Sequence, residues 1–398
     1  MQPIFNSLGS NYPLSFIFLA LRQIVRNKRG KQKDSDTLKS ILEKQFGGKC
    51  YLFYKGRDAI EYSLKAVGIR KGDSVIIQAF TCYAIEESIV RSGATPVFAD
   101  LASNSLNPTL ETLEKAYRKA KKPKAVLIQH TLGFPAEICK IRRWCNRKKL
   151  LLIEDLAQAF GGKGDDNKVL GTNGDIVILS FGKDKILDGV SGGGCVIKIS
   201  HNHIQISSRR VEEGQVVKDM FYPLVTWVIR RTYLLGLGKL LHEVARLTKL
   251  IVSPVVSYSK EPLALPEHYA ALVLHQLNEL DKQLAHRRAI AKLYAVKLRG
   301  GQIQLKTLTK ASNLRFPVTV SQPDSLTKYL RVKNIYIEDR WYKRAVDCGS
   351  LCCKTVYKNG ECPNAEKWAA TIINLPTHKS ITKKEASKII QVINQCIS

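Results

Sequence analysis

The sequence predicts an α/β protein with a mostly parallel central sheet flanked by helices, followed by a smaller α+β domain at the C-terminal end. Three observations carry this. Between residues 50 and 200, apolar strand-like runs alternate with helix-like segments. Several of those runs end in polar residues, as strands of an open sheet do where they meet ligand-bearing loops. Beyond residue 263 a strong helical pattern gives way to short strand-like pieces between helices.

Residues 1–49 read as an N-terminal arm with helices. The apolar stretch 14–21 is too short to span a bilayer, and no basic residue precedes it as a secretion signal would require. Residues 50–262 read as the large α/β domain. After a strand-like 51–54, the runs 74–77, 95–99, 125–129, 150–153, 175–179 and 194–199 are predicted strands, with Asp100, His130, Glu154, Asp155 and Ser180 at their ends. Within this domain, 213–262 is a basic, apolar, helical excursion. Its uncharged runs 220–229 and 232–238 are too short to cross a membrane, so it reads either as core or dimer-interface helices or as a segment lying in a membrane interface. Residues 263–398 open with Leu277, Leu280 and Leu284 at helical spacing, which predicts one long helix after Pro266, and close on a small α+β domain.

The chain has 398 residues, with 63 Lys and Arg against 34 Asp and Glu, a net charge of +29 that favours anionic partners. No nucleic-acid-binding motif accompanies it, so polynucleotide is not the expected partner. Ten cysteines form no C-x-x-C pair, which points to free thiols in a reducing cytosol. The cluster Cys348, Cys352, Cys353 and Cys362 matches no zinc spacing, and no metal is expected.

Three segments carry candidate chemistry. Gly56-Arg57-Asp58 opens an amphipathic helix just after a strand, and a helix N-terminus offers free amides to phosphate; a plain turn would look the same. Asp155, at the end of a buried strand with Gln158 three residues on, can keep a pyridinium nitrogen protonated, or simply cap the next turn. Ser180-Phe181-Gly182-Lys183-Asp184-Lys185 precedes a glycine run. A serine at a strand end can bond phosphate, and a lysine nearby offers the primary amine that condenses with an aldehyde. Lys183 competes with Lys185 on these grounds, and a solvated lysine-rich turn is the bland alternative.

Together with Gly93-Ala94-Thr95-Pro96, His130-Thr131-Leu132-Gly133-Phe134-Pro135 and Cys362-Pro363-Asn364-Ala365-Glu366, these segments resemble the DegT/DnrJ/StrS-type sugar aminotransferases of the aspartate aminotransferase-like fold (fold type I). The resemblance implies pyridoxal 5'-phosphate (PLP) as cofactor, Lys185 as its lysine, Asp155 as the pyridinium partner, Gln158 beside the ring hydroxyl, and Ser180 with Gly56, Arg57 and Asp58 around the phosphate. It also implies a homodimer that transfers an amino group, with glutamate as donor, to a keto sugar carried on a nucleotide, in glycan biosynthesis. Three departures stand out. Cys82 occupies the place of an aromatic that stacks on the ring, with Tyr83 beside it as a substitute. Leu263-Ala264-Leu265-Pro266-Glu267-His268 lacks the asparagine by which a neighbouring subunit completes the phosphate site. Glu338-Asp339-Arg340-Trp341-Tyr342 replaces a histidine-tyrosine motif at the sugar pocket, where Arg340 could meet a diphosphate or sit in a surface ion pair. The expected location is cytoplasmic, with peripheral contact to an anionic membrane through 14–29 and 216–252. The competing expectation is a regulatory, non-catalytic PLP-binding protein whose basic surface binds membrane or another polyanion.

Overall fold

The computed structural model describes residues 3–25, 33–202, 210–248, 250–251, 261–299, 305–337, 341–347 and 354–397. An N-terminal arm supplies β1 (Ile4–Phe5), α1 (Leu14–Val25) and α2 (Lys33–Phe46). The large sheet and its helices follow: β2 (Lys49–Phe53), α3 (Gly56–Ala66), β3 (Ser74–Gln78), β4 (Thr81–Cys82), α4 (Tyr83–Arg91), β5 (Thr95–Ala99), α5 (Leu110–Lys119), β6 (Pro123–Gln129), α6 (Ile138–Lys148), β7 (Leu151–Asp155), β8 (Ile176–Ser180) and β9 (Gly193–Ile197). Beyond them lie α7 (Glu213–Thr232), α8 (Leu237–Leu247), α9 (Glu267–Asn278), α10 (Leu280–Lys297), α11 (Leu305–Lys310), β10 (Arg315–Thr319), α12 (Pro323–Val332), β11 (Ile335–Tyr336), β12 (Val346–Asp347), α13 (Pro363–Thr371), β13 (Ile372–Pro376) and α14 (Lys383–Ile397).

The sheet runs in the order β2-β9-β8-β7-β6-β3-β5. Its pairs are parallel from β5 to β8, and β9 alone runs against its neighbours. Strands buried on both faces explain the near-continuous apolar runs, such as Val75-Ile76-Ile77 and Val126-Leu127-Ile128, each almost wholly removed from water. Burial of each such side chain contributes about 1.5–3 kcal/mol before entropy is counted. Because the parallel strands share one direction, Gln129, Asp155 and Ser180 arrive at a single edge, joined there by the start of β9 and the loop after β2.

The helix expected after Pro266 is two helices. At Glu279 the backbone leaves helical geometry, its N–H donating to the carbonyl of Gln276 three residues back, and the Gln283 amide donates to Gln276 Oε1 across the break. Asn278 and Glu279 end the tightened turn, and the apolar spacing continued across it, so the periodicity concealed the joint. The C-terminal region sets β10 antiparallel to β13, and there α14 packs on α10 and α12. The arm reaches it, as β1 pairs with β11.

Candidate active site

Lys55, the residue before α3, has extended backbone and provides no side-chain cap, which leaves first-turn N–H groups of α3 without a protein partner from that source. This end of α3 is held against the sheet by a close approach. An ideal Cβ on Gly193 would lie 2.4 Å from Gly56 Cα, so only glycine in β9 lets α3 start there. Ser180 ends β8 beside the same point. The loop from Phe181 to Gly192 is clamped by two backbone bonds, Phe181 N–H to Gly192 O at 2.9 Å and Gly189 N–H to Phe181 O at 2.8 Å, and it carries Lys183 and Lys185.

A cavity of about 200 Å³ opens at this edge. Its lining includes Gly56, Arg57, Cys82, Asp155, Gln158, Ser180 and Lys185. Lys185 is half-buried, its Nζ 4.6 Å from the centre of the Trp341 ring, and desolvation holds its amine below the ordinary lysine value against the pull of Cys82 and Asp155. Asp155 is buried. Desolvation raises its carboxyl, while the Ala157 N–H (2.8 Å to Oδ1), Lys185 and His130 favour the ionised form. One oxygen therefore caps the turn while the residue also lines the cavity. Gln158 accepts from Leu132 N–H at 2.6 Å and donates to the Tyr342 hydroxyl at 2.6 Å, so its orientation is fixed from both ends. On the opposite face of β7, Glu154 accepts from the N–H groups of Gly171 and Gly174 and lies 3.2 Å from His130 Nε2. His130 Nδ1 accepts from Ala136 N–H, which places the imidazole proton on Nε2.

Asp58 and Tyr83 do not line the cavity. Desolvation pushes the Asp58 carboxyl up to about 6, and the side chain turns instead toward Arg91, 3.8 Å away on α4. Tyr83 opens α4, half-buried. Arg57 does line the cavity, yet its guanidinium is engaged by Glu87 at 3.0 Å. Arg340 lies outside the described residues, as do Cys348, Cys352 and Cys353. Several lining residues escaped the sequence reading: Lys55, Gln129, Gln215, Asp219 and Leu250. Lys55 stands beside a glycine that was noticed, and Asp219 is a lone carboxylate before an uncharged run. Asp219 accepts from the hydroxyls of Tyr54 (2.7 Å) and Tyr269 (2.8 Å), and it sits near the cations of Lys55 and Lys183.

This donor set fits a phosphorylated pyridine aldehyde. A helix start, a serine and cations suit phosphate, a buried carboxylate suits a ring nitrogen, and an amine with lowered proton affinity suits an aldehyde. The comparisons agree. The profile of the DegT/DnrJ/EryC1/StrS aminotransferase family matches residues 48–222 and 257–394, leaving 223–256 unmatched. The chain is similar to the GDP-perosamine synthase of Vibrio cholerae, 31% identical over 63% of this chain and 58% of that protein, which is under two thirds of its length. It is 28% identical to the pleiotropic regulatory protein of Geobacillus stearothermophilus over 85% of this chain and 82% of that one. Its fold is that of NtdA from Bacillus subtilis, solved with bound cofactor PMP, with a TM-score of 0.72 at 20% identity over 100% of this chain and 86% of that one. With its cavity, its lysine loop and most of its length in register with that profile, the chain belongs to the DegT/DnrJ/EryC1/StrS family of PLP-dependent aminotransferases.

Proposed function

We propose that the chain transfers an amino group from glutamate to a keto sugar carried on a nucleotide, in the assembly of a cell-envelope polysaccharide or related glycan. The observation that carries this reading is that one cavity gathers Lys185, Asp155, Ser180 and the open start of α3. The name of the Vibrio relative lends the nucleotide-linked acceptor. PLP, when bound, supplies an aldehyde for amines and a ring that takes up negative charge. Lys185 Nζ is the amine that would hold the cofactor's aldehyde and, once freed, would move a proton, for which its lowered proton affinity suits it. Asp155 would keep the ring nitrogen protonated, Gln158 would orient the ring, and Ser180 Oγ with the Gly56 and Arg57 amides would bind the phosphate. Cys82, in the cavity wall, is the residue that would meet the ring face. Pairing of two copies and peripheral contact with an anionic membrane belong to the same proposal.

The test is the absorption spectrum of purified protein with added PLP, before and after borohydride reduction, followed by sequencing of the labelled peptide. The label is expected on Lys185, with Lys185→Ala losing both label and amino transfer from glutamate. A label on Lys183 would overturn the assignment. The second reading, a PLP-binding regulator without turnover, has the name of the Geobacillus relative in its favour, and absence of any glutamate-dependent spectral change in PLP-loaded protein before reduction would select it.

A further inference from the structure

The segment between the two family-matched stretches builds α8, and α8 presents its apolar side outward. Leu237, Leu240, Val244 and Leu247 recur at spacings of three, four and three, one helical stripe, with exposures of 51, 63, 46 and 78%. The inner side is committed to protein. Ala245 and Leu241 pack with Ile229 of α7 and with Phe5 and Leu8 of the arm, and a Cβ on Gly238 would meet the Ile229 carbonyl at 2.3 Å, so α8 is seated closely and cannot roll its leucines inward. Leu234 and Leu235, just before α8, are exposed too.

Charge selects the occupant. Residues 223–256 contain Arg230, Arg231, Lys239, Arg246 and Lys249 against Glu243 alone, in a chain already at +29. Arg231, Lys239 and Arg246 are exposed beside the stripe. A second copy meeting this face symmetrically would set those cations against their own counterparts. An anionic lipid surface would neutralise them while its acyl boundary takes up the leucines.

We propose that α8 is a membrane-docking helix: it lies in the interface of an anionic bilayer with Leu237, Leu240, Val244 and Leu247 immersed and Lys239 and Arg246 at the headgroups. This deepens the peripheral contact proposed above and stands apart from the amino-transfer reading. Leu250, three residues past Leu247, lines the catalytic cavity, so docking brings the site to the headgroup layer.

Flotation of the full chain with vesicles of phosphatidylcholine and phosphatidylglycerol tests it. At low salt the chain is expected to float with these vesicles, not with phosphatidylcholine alone, and to be released by high salt. Leu240→Glu with Leu247→Glu is expected to weaken binding by about a hundredfold or more, as losing two buried leucines implies. Lys239→Gln is expected to weaken it roughly fivefold. Folding of each variant is read from far-ultraviolet circular dichroism and thermal melting, which do not depend on the cofactor. Wild-type protein that stays off anionic vesicles, or stripe variants that float unchanged, would overturn the proposal. So would stripe variants that convert a dimer to monomer in a chain that does not float. A chain that floats yet fixes no cofactor on lysine leaves docking standing and removes the enzymatic reading.

Discussion

Lys55 is the residue whose role the sequence hid. Its Nζ is 3.1 Å from Ser191 Oγ and 4.3 Å from the Tyr54 ring centre, at the start of α3 where phosphate would sit. Desolvation pushes its amine down to about 8, only partly offset by Asp219. A bound phosphate favours the ammonium and raises that value, so affinity for phosphate is full below about pH 8 and declines as pH rises through it. Pyridoxamine phosphate, which cannot condense with Lys185, isolates this effect. We expect its affinity to fall above pH 8 in the wild type and to stay level in Lys55→Arg, with Lys55→Met weaker by roughly tenfold at neutral pH. Superimposable pH curves for wild type and Lys55→Arg would refute the role. Asp155, Ser180 and Lys185 were legible because each ends or follows an apolar run with a motif around it. Lys55 was not, because a lysine before a glycine reads as solvated turn until burial is known. Asp58 is expected in the same turn, but its side chain stands outside the cavity lining, because α3 rotates its carboxylate to Arg91.

At the scale of elements, the strands were the most legible part, since burial on both faces writes itself as unbroken Val, Ile and Leu. The runs expected at 74–77 and 95–99 appear as β3 and β5 within a residue. What the pattern could not show is contact between distant elements. Gly193, Gly194 and Gly56 look like flexible punctuation, yet β9 and α3 touch backbone to backbone there. A methyl on Gly193 would lie 2.4 Å from Gly56 Cα and 2.8 Å from Leu179 O, with backbone on both sides and nothing able to swing away. Gly193→Ala is therefore expected to destabilise the fold by about 1–3 kcal/mol and to shift the start of α3 enough to weaken cofactor binding. Chemical denaturation with and without PLP reads both. The outward leucines of α8 were legible as apolar content only: a helix's stripe is visible in sequence, but whether it points inward depends on the face its neighbours occupy.

Over the whole molecule, the arm is one of the links that tie the sheet to the C-terminal region, and no local pattern announces its contacts. Asn6 donates to the Asn374 carbonyl at 2.9 Å and His378 Nε2 lies 2.9 Å from Phe5 O, on the C-terminal side. On the other side Asn11 Nδ2 donates to the Lys185 carbonyl (3.2 Å) and to Asp188 (3.2 Å), and the Tyr12 hydroxyl donates to Asp188 at 2.7 Å. Arg287, fully buried, closes the arrangement by donating to Asn11 Oδ1, Leu314 O and Thr377 Oγ1. Asp188 in turn receives the N–H groups of Asp184 and Val190, so its carboxylate is the post around which the lysine loop bends. Burial raises its carboxyl, and those donors pull it back toward the ionised form. Asn11→Ala with Tyr12→Phe removes two of them without touching the cavity, leaving a buried carboxylate short of partners at a cost of about 1–3 kcal/mol each. The loop that aims Lys185 then loosens, so the double variant is expected to lose stability and to release PLP faster, with glutamate turnover reduced while the labelled lysine remains Lys185. Stability measured by denaturation and cofactor release followed by absorbance should fall together. A variant that loses stability but keeps the wild-type release rate would mean that the arm braces the fold without holding the loop.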